Sequence, residues 1–214
     1  MYKDLQFLKN AYSSRKELIK KQLLYFKTVG KENEERIFAE LCFCLLTPQS
    51  KAKNCDQAIA KLVETKILFK GSETEIKAYL VGVRFHNNKS RYLVLARKMF
   101  TVNGELQLKQ KLNEFKTLVE LRLWLAESVL GMGLKESVHF LRNIGIYNGF
   151  AMLDRHILTN LVKHGVLKQL PKTLNKKTYL AIEKKMQKFS DVIGISMEEI
   201  DLLFWSEQTG EVFK

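Results

Sequence analysis

Proline and cysteine are both scarce in this 214-residue chain, at two and three residues. So few prolines exclude polyproline, collagen-like and linker-rich architectures. Cys42, Cys44 and Cys55 are odd in number and clustered, which suits a reducing compartment better than a disulfide framework. A structural zinc or iron–sulfur site takes four ligands, and on a helix Cys42 and Cys44 would project about 200° apart. They read as packed core thiols, and no metal is expected. Long apolar runs are also missing. The longest near the front, Leu41 to Leu46, falls far short of the ~20 residues needed to cross a bilayer. The opening MYKDLQFLKN interleaves charge with apolar residues and lacks the character of a secretory signal. The expectation is an intracellular protein of cytoplasm or nucleoid, with no membrane span. Strand-like alternation is almost absent, and no internal repeat or Ser/Gly/Pro linker is seen.

What the chain does have is a core and a charge. Apolar residues make up 46% and aromatics 10%, enough for a folded body of one domain or two closely packed lobes. Lys and Arg number 36 against 23 Asp and Glu, a net charge of +13. An excess of that size points to a polyanionic partner, nucleic acid first and a membrane surface second. Because lysine predominates over arginine, the expected binding is dominated by phosphate contacts and sensitive to salt. The charge is uneven. Residues 163–188 hold eight lysines and one glutamate, whereas 191–211 hold six acids and no base. The basic run reads either as a solvated helix face or as a phosphate-facing patch.

The dominant period is helical, so the fold class expected is all-α. Over 34–46, Ile37, Phe38, Leu41, Cys44 and Leu45 share a face. Thr47-Pro48 reads as the stop of that helix and the cap and first turn of the next, which carries Ala52, Cys55, Ile59 and Leu62 inward. Further helices are expected over about 89–100, with Tyr92, Leu95, Ala96 and Met99, and over 118–129, opened by the capping box Thr117-x-x-Glu120. A second capping box, Ser196-x-x-Glu199, opens a last helix bearing Ile200, Leu203 and Phe204 and ending before Gly210.

The stretch 128–145 carries the chemistry. A helix ends near Leu130, Gly131-Met132-Gly133 makes a turn, and a second helix starts at about Leu134 with Val138, Leu141 and Ile144 inward. Two glycines allow close approach, and exposed N–H groups at the second helix favour an anion, so the hairpin can seat a DNA phosphate. A plain tight turn is the ordinary alternative. Lys135, however, sits at a positive helix end, against the dipole, which points to a role that outweighs the small cost. Asp154 follows an apolar stretch and precedes Ile157, Leu158, Leu161 and Val162, the position of an N-cap. It is either an ordinary cap or a carboxylate able to stabilise positive charge developing on a sugar.

The hairpin Leu130-Gly-Met-Gly-Leu-Lys135 followed by Asp154 resembles the helix–hairpin–helix DNA glycosylases, in the bifunctional branch that places lysine in this slot. Leu45-Leu-Thr-Pro-Gln-Ser-Lys51 is similar to that superfamily's first hairpin, where a side chain such as Gln49 enters the duplex. The short length, the lack of a cysteine cluster and the ending Trp205-x8-Lys214 resemble the small 8-oxoguanine DNA glycosylase/AP lyase class.

That resemblance implies a two-lobed helical protein with its active site in the cleft between lobes, acting as a monomer on duplex DNA without a cofactor. The lobes are expected at 33–134 and at 1–32 with 135–214, the hairpin lying at their junction. Lys135 would attack the sugar C1′, expel the oxidised base and cut the strand by β-elimination, with Asp154 supporting the charged sugar. Trp205 would stack on the flipped base and the Lys214 carboxylate would contact its edge. Taken alone, Trp205 beside Phe204 reads as core. Phe85, in Arg84-Phe-His-Asn-Asn-Lys-Ser90, is a stacking or wedge candidate, or else a loop anchor. Gln49 and Ser50 are candidates for the opposite strand, and Gly131 and Gly133 for the phosphate. His86, His139, His156 and His164 read as structural or surface residues. Two rivals stand beside this reading: the same chemistry on oxidised pyrimidines, and a non-catalytic hairpin module in which Lys135 only contacts a phosphate.

Overall fold

The computed structural model describes residues 2–147 and 149–213. Its elements run α1 (Leu5–Val29), α2 (Glu34–Leu46), α3 (Ala52–Glu64), α4 (Ile67–Lys70), α5 (Glu73–Tyr79), α6 (His86–Phe100), β1 (Thr101–Val102), β2 (Glu105–Leu106), α7 (Leu108–Leu112), α8 (Leu118–Ser128), α9 (Leu134–Asn143), α10 (Arg155–Lys163), α11 (Lys176–Ile193) and α12 (Met197–Thr209). The fold is helical, as the periodicity implies. Among the described residues the departure is a two-residue antiparallel ribbon, Thr101 opposite Leu106, whose turn needs Asn103 and Gly104 at positive φ. Among the described residues, no helix is long and apolar enough to cross a membrane.

The chain divides into two compact units, Thr28–Ile144 and Met1–Lys27 with Gly145–Lys214. The sequence placed these boundaries at 32/33 and 134/135. Packing draws them elsewhere because α9 lies against both α8 and α2, which keeps the whole hairpin in the first unit.

Helix α2 is the axis of the first unit. Every residue from Ile37 to Leu46 is buried, so this helix has no solvent face. Helices α3, α6, α7 and α9 surround it. Cys42, Cys44 and Cys55 are fully buried thiols inside this packing, outside any disulfide, as expected. One polar network is threaded through it. Glu40 accepts from Asn143 Nδ2 at 2.8 Å, and Asn143 Oδ1 in turn accepts from the Arg142 guanidinium, tying α2 to α9.

Two expectations need correction. Thr47 does not open a helix. It is the αR C-cap of α2, its hydroxyl returned to the Cys44 carbonyl at 2.9 Å, and α3 starts only at Ala52 after a turn. Gln49 sits at φ +56°, where helix cannot continue. Helix α6 begins earlier than expected, and its buried stripe is Lys89, Leu93, Ala96 and Phe100, while Leu95 and Met99 are exposed.

In the second unit α12 is buried on nearly all sides, with Ile200, Leu202, Leu203 and Phe204 inaccessible. Both expected capping boxes are present, at Thr117/Glu120 and Ser196/Glu199. His164 is buried with its ring stacked on Phe204 at 5.6 Å and its Nδ1 at 3.2 Å from the Lys3 carbonyl. His139, in the first unit, is buried edge-on to Phe43, so both histidines are structural.

Candidate active site

The hairpin is built by its glycines. Helix α8 ends at Ser128, and Met132 N–H donates to the Val129 carbonyl at 3.0 Å, closing a turn whose third residue is Gly131 at φ +90°. That geometry is a type II turn, which needs a positive φ at its third position. A Cβ on Gly131 would also lie 2.4 Å from the Tyr92 ring. Gly133 is the N-cap of α9. It has no side chain to offer the first-turn N–H groups, while its own N–H donates to Glu136 Oε2 at 3.1 Å. The start of α9 therefore presents backbone donors and a positive dipole end, the arrangement that receives a phosphate oxygen.

Lys135 stands in the first turn of α9 with its side chain 21% exposed, and its Nζ is 3.8 Å from Glu136 Oε1. It is neither solvated like a surface lysine nor locked into a short ion pair. Asp154 is the N-cap of α10, accepting from Ile157 N–H at 2.8 Å. The loop ahead of it is held from two helices. Tyr179 of α11 bonds Ala151 O and Leu153 N, Glu183 accepts from Ala151 N, and Glu198 of α12 accepts from Gly149 N at 2.7 Å.

Trp205 is partly buried on α12, with its ring edge-on to His156 at 5.5 Å, two residues beyond Asp154. Asp154 and Trp205 are thus brought to the same end of α10. Lys135 belongs to the other unit, together with Gly131, Gly133, Gln49, Ser50 and Phe85. Lys214 lies outside the described residues.

Gln49, Ser50 and Phe85 converge. Phe85 is 53% exposed, at φ +59°, immediately before α6, and the Arg84 guanidinium lies over its ring. Arg84 N–H donates to Ser50 Oγ at 3.0 Å, joining the 47–50 and 80–85 loops, and Asn54 Nδ2 of α3 donates to the Gly82 carbonyl at 3.2 Å. Sequence reasoning missed the residue that pins the 46–50 segment to α6. Lys89 is 3% exposed, and its ammonium donates to Leu46 O at 2.6 Å, Pro48 O at 2.7 Å and Ser50 Oγ at 3.0 Å. Burial pushes its pKa down to about 8, and the fields of Lys135 and Arg84 act in the same direction. The one available signal was a lysine at an inward position of an amphipathic helix.

Comparison with known proteins gives this geometry its context. Residues 19–195 match the family model described as 8-oxoguanine DNA glycosylase. An 8-oxoguanine DNA glycosylase/AP lyase of Fusobacterium nucleatum is 42% identical over 208 residues, covering 97% of this chain and 96% of that one. The fold is similar to the 8-oxoguanine glycosylase/lyase of Methanocaldococcus jannaschii in complex with a 15mer DNA containing 8-oxoguanine, with TM-score 0.88, 30% identity, and 98% and 99% of the two chains covered. It is also similar to the 8-oxoguanine DNA glycosylase of Thermotoga maritima, with TM-score 0.86, 30% identity and 98% of each chain covered. A match of this extent, with the glycine hairpin and its lysine inside it, shows that the chain belongs to the 8-oxoguanine DNA glycosylase family.

Proposed function

We propose that this protein removes 8-oxoguanine from duplex DNA and then cuts the strand at the vacated sugar, with Lys135 as the nucleophile. The observation that carries the reading is Lys135 itself, a half-sheltered amine in the uncapped first turn of the hairpin helix, within the stretch that matches the family.

The chemistry follows from an amine in that position. Once the Lys135 ammonium has given up a proton, its Nζ lone pair forms a bond to C1′ as the C1′–N9 bond breaks. The electron pair leaves with the base, which takes up a proton. Opening of the sugar ring gives a C1′ iminium, which makes the C2′ proton acidic. Loss of that proton expels the 3′ phosphate, and water releases the lysine from the remaining aldehyde. An ionised Asp154 would stabilise the positive charge that builds on the sugar in the first step. A flipped base needs a surface to replace lost stacking, and Trp205 supplies it in this reading, with Lys214 at the base edge. Gln49, Ser50 and Phe85 would face the opposite strand, and the Gly131 to Gly133 turn would hold a phosphate. The protein would act as a monomer inside the cell, where its DNA substrate is.

The test is covalent trapping. Borohydride should fix the wild-type protein to an oligonucleotide duplex containing 8-oxoguanine, and Lys135→Gln should abolish the adduct while duplex binding persists. Undiminished strand cleavage by Lys135→Gln removes the lysine from the mechanism. Repeating the assay with oxidised pyrimidines fixes the lesion class.

A further inference from the structure

Glu136 directly follows Lys135 in the first turn of α9, and the reaction described above gives it no part. Its two carboxylate oxygens meet different groups. Oε2 accepts from the Gly133 backbone N–H at 3.1 Å, the contact that a third-position glutamate makes with a helix cap. Oε1 lies 3.8 Å from Lys135 Nζ. Capping uses one oxygen only, and a glutamine would serve it equally well. The second oxygen is therefore held beside the reacting amine at no cost to the cap. Both side chains are sheltered, Lys135 at 21% and Glu136 at 15% exposure, so bulk water has limited access to the pair.

The frame around this carboxylate is stiff. Met132 N–H closes the hairpin turn on Val129 O, and the Tyr92 ring fills the space beside Gly131. Ser137 N–H donates to Gly133 O at 3.0 Å, so the first turn of α9 is regular. A Cβ on Gly133 would lie 3.2 Å from Glu136 Oε2, so the carboxylate sits close against the bare glycine backbone. Reach follows from the amine outward. In the lysine adduct C1′ stands about 1.5 Å from Nζ and C2′ about 1.5 Å further on, which places C2′ about 2.5 Å from Nζ. An oxygen 3.8 Å from Nζ has the span to come within about 3 Å of C2′, the separation a proton transfer needs.

We propose that Glu136 is the general base of the strand-cutting step, removing the C2′ proton from the sugar bound to Lys135. The proposal rests on the reading of Lys135 as nucleophile and supplies the group that takes this proton. The C2′–H bond pair becomes the C1′=C2′ bond while the iminium π pair moves onto Nζ, and the proton passes to Oε1. The Nζ pair then re-forms the iminium, and the C1′=C2′ pair shifts to C2′=C3′. The C3′–O bond breaks with its electrons on the departing phosphate. Glu136 afterwards gives the proton to water.

The experiment follows base loss and strand cutting separately in single turnovers on a duplex containing 8-oxoguanine. Excision is read by treating quenched samples with hot alkali, and strand cutting by omitting it. A duplex carrying a preformed abasic site is run beside it, with borohydride trapping on both. If the wild-type protein fails to trap, the lysine reading itself is wrong. With trapping established, Glu136→Gln, which still accepts from Gly133 N–H, should cut the preformed abasic duplex more slowly by on the order of 100-fold. The ratio of cutting to excision should fall by a similar factor. Borohydride should still trap this variant, because the iminium forms and persists. Glu136→Asp keeps a carboxylate but draws it back by one methylene, and its ratio should fall by about tenfold. Should a melting curve show that Glu136→Gln does not fold, Glu136→Asp decides by the same ratio. A ratio equal to wild type in the deciding variant, or loss of trapping in folded Glu136→Gln, overturns the proposal.

Discussion

The two hairpin glycines differ in what they protect. Gly131 combines φ +90° with the Tyr92 ring where a Cβ would stand, so Gly131→Ala meets backbone strain and a clash together. A loss of about 2 kcal/mol or more is expected, visible as a Tm lowered by several degrees. Gly133 has extended backbone, and a Cβ there would meet only the carboxylate end of Glu136 at 3.2 Å, so Gly133→Ala should cost far less. Equal melting of the two variants contradicts this account of the turn. At Asp154 a single substitution separates capping from chemistry. Asparagine caps a helix as well as aspartate does, so Asp154→Asn should melt within about 0.5 kcal/mol of wild type. It brings no negative charge to the sugar, and base excision should slow by on the order of 100-fold. A variant that melts normally and excises at full rate would show Asp154 to be a cap only.

Among elements, α1 and α12 are joined by a polar contact whose strength depends on pH. The Tyr12 hydroxyl donates to Glu199 Oε1 at 2.7 Å. Burial and the neighbouring carboxylate push the Tyr12 hydroxyl well above its ordinary 10.0. Burial alone would raise Glu199, but the hydrogen bonds from Tyr12 and Ser196 and the charge of Lys20 bring it below its ordinary 4.5. The two shifts have opposite signs in stability. The Glu199 contribution is complete above pH 4.5 and is lost as pH falls through the lowered folded value, whereas the Tyr12 contribution is complete below pH 10.0 and is lost as pH rises beyond it. Tyr12→Phe should therefore cost about 1 kcal/mol near neutrality. The gap from wild type in denaturant titrations should close at both extremes, and a gap independent of pH would contradict the assignment.

For the whole molecule, the +13 net charge makes duplex binding steeply dependent on salt. With five or so phosphates neutralised, log K against log salt should fall with a slope of about −4 or steeper, whether or not the duplex contains a lesion. That slope also separates the two roles open to Lys135. Loss of a phosphate contact flattens it by about 0.9, whereas loss of a nucleophile leaves it unchanged. Lys135→Gln is expected to bind with the wild-type slope, as measured by fluorescence anisotropy across a salt series.

Much of this protein was legible in local sequence because local physics decided it. The bounds of α2, the capping boxes at Thr117 and Ser196, the Gly131 to Gly133 turn and the Asp154 cap each depend on residues within about one helical turn of one another. Thr47-Pro48 misled because the carbonyls of residues 46 and 48 are satisfied from 41 to 43 positions away, by Lys89, leaving the chain free to turn instead of starting a helix. The same distance hid Lys89, since a lysine on a helix reads as solvated until the fold closes over it. Composition and pattern alone determined a basic, helical, disulfide-free chain with a hairpin lysine. Tertiary structure alone decided that α2 has no outer face, that α9 stays with α8, and that the 47–50 and 80–85 loops meet through a hydrogen bond. Those outcomes depend on which apolar faces meet, and burial free energy is settled between segments rather than within them.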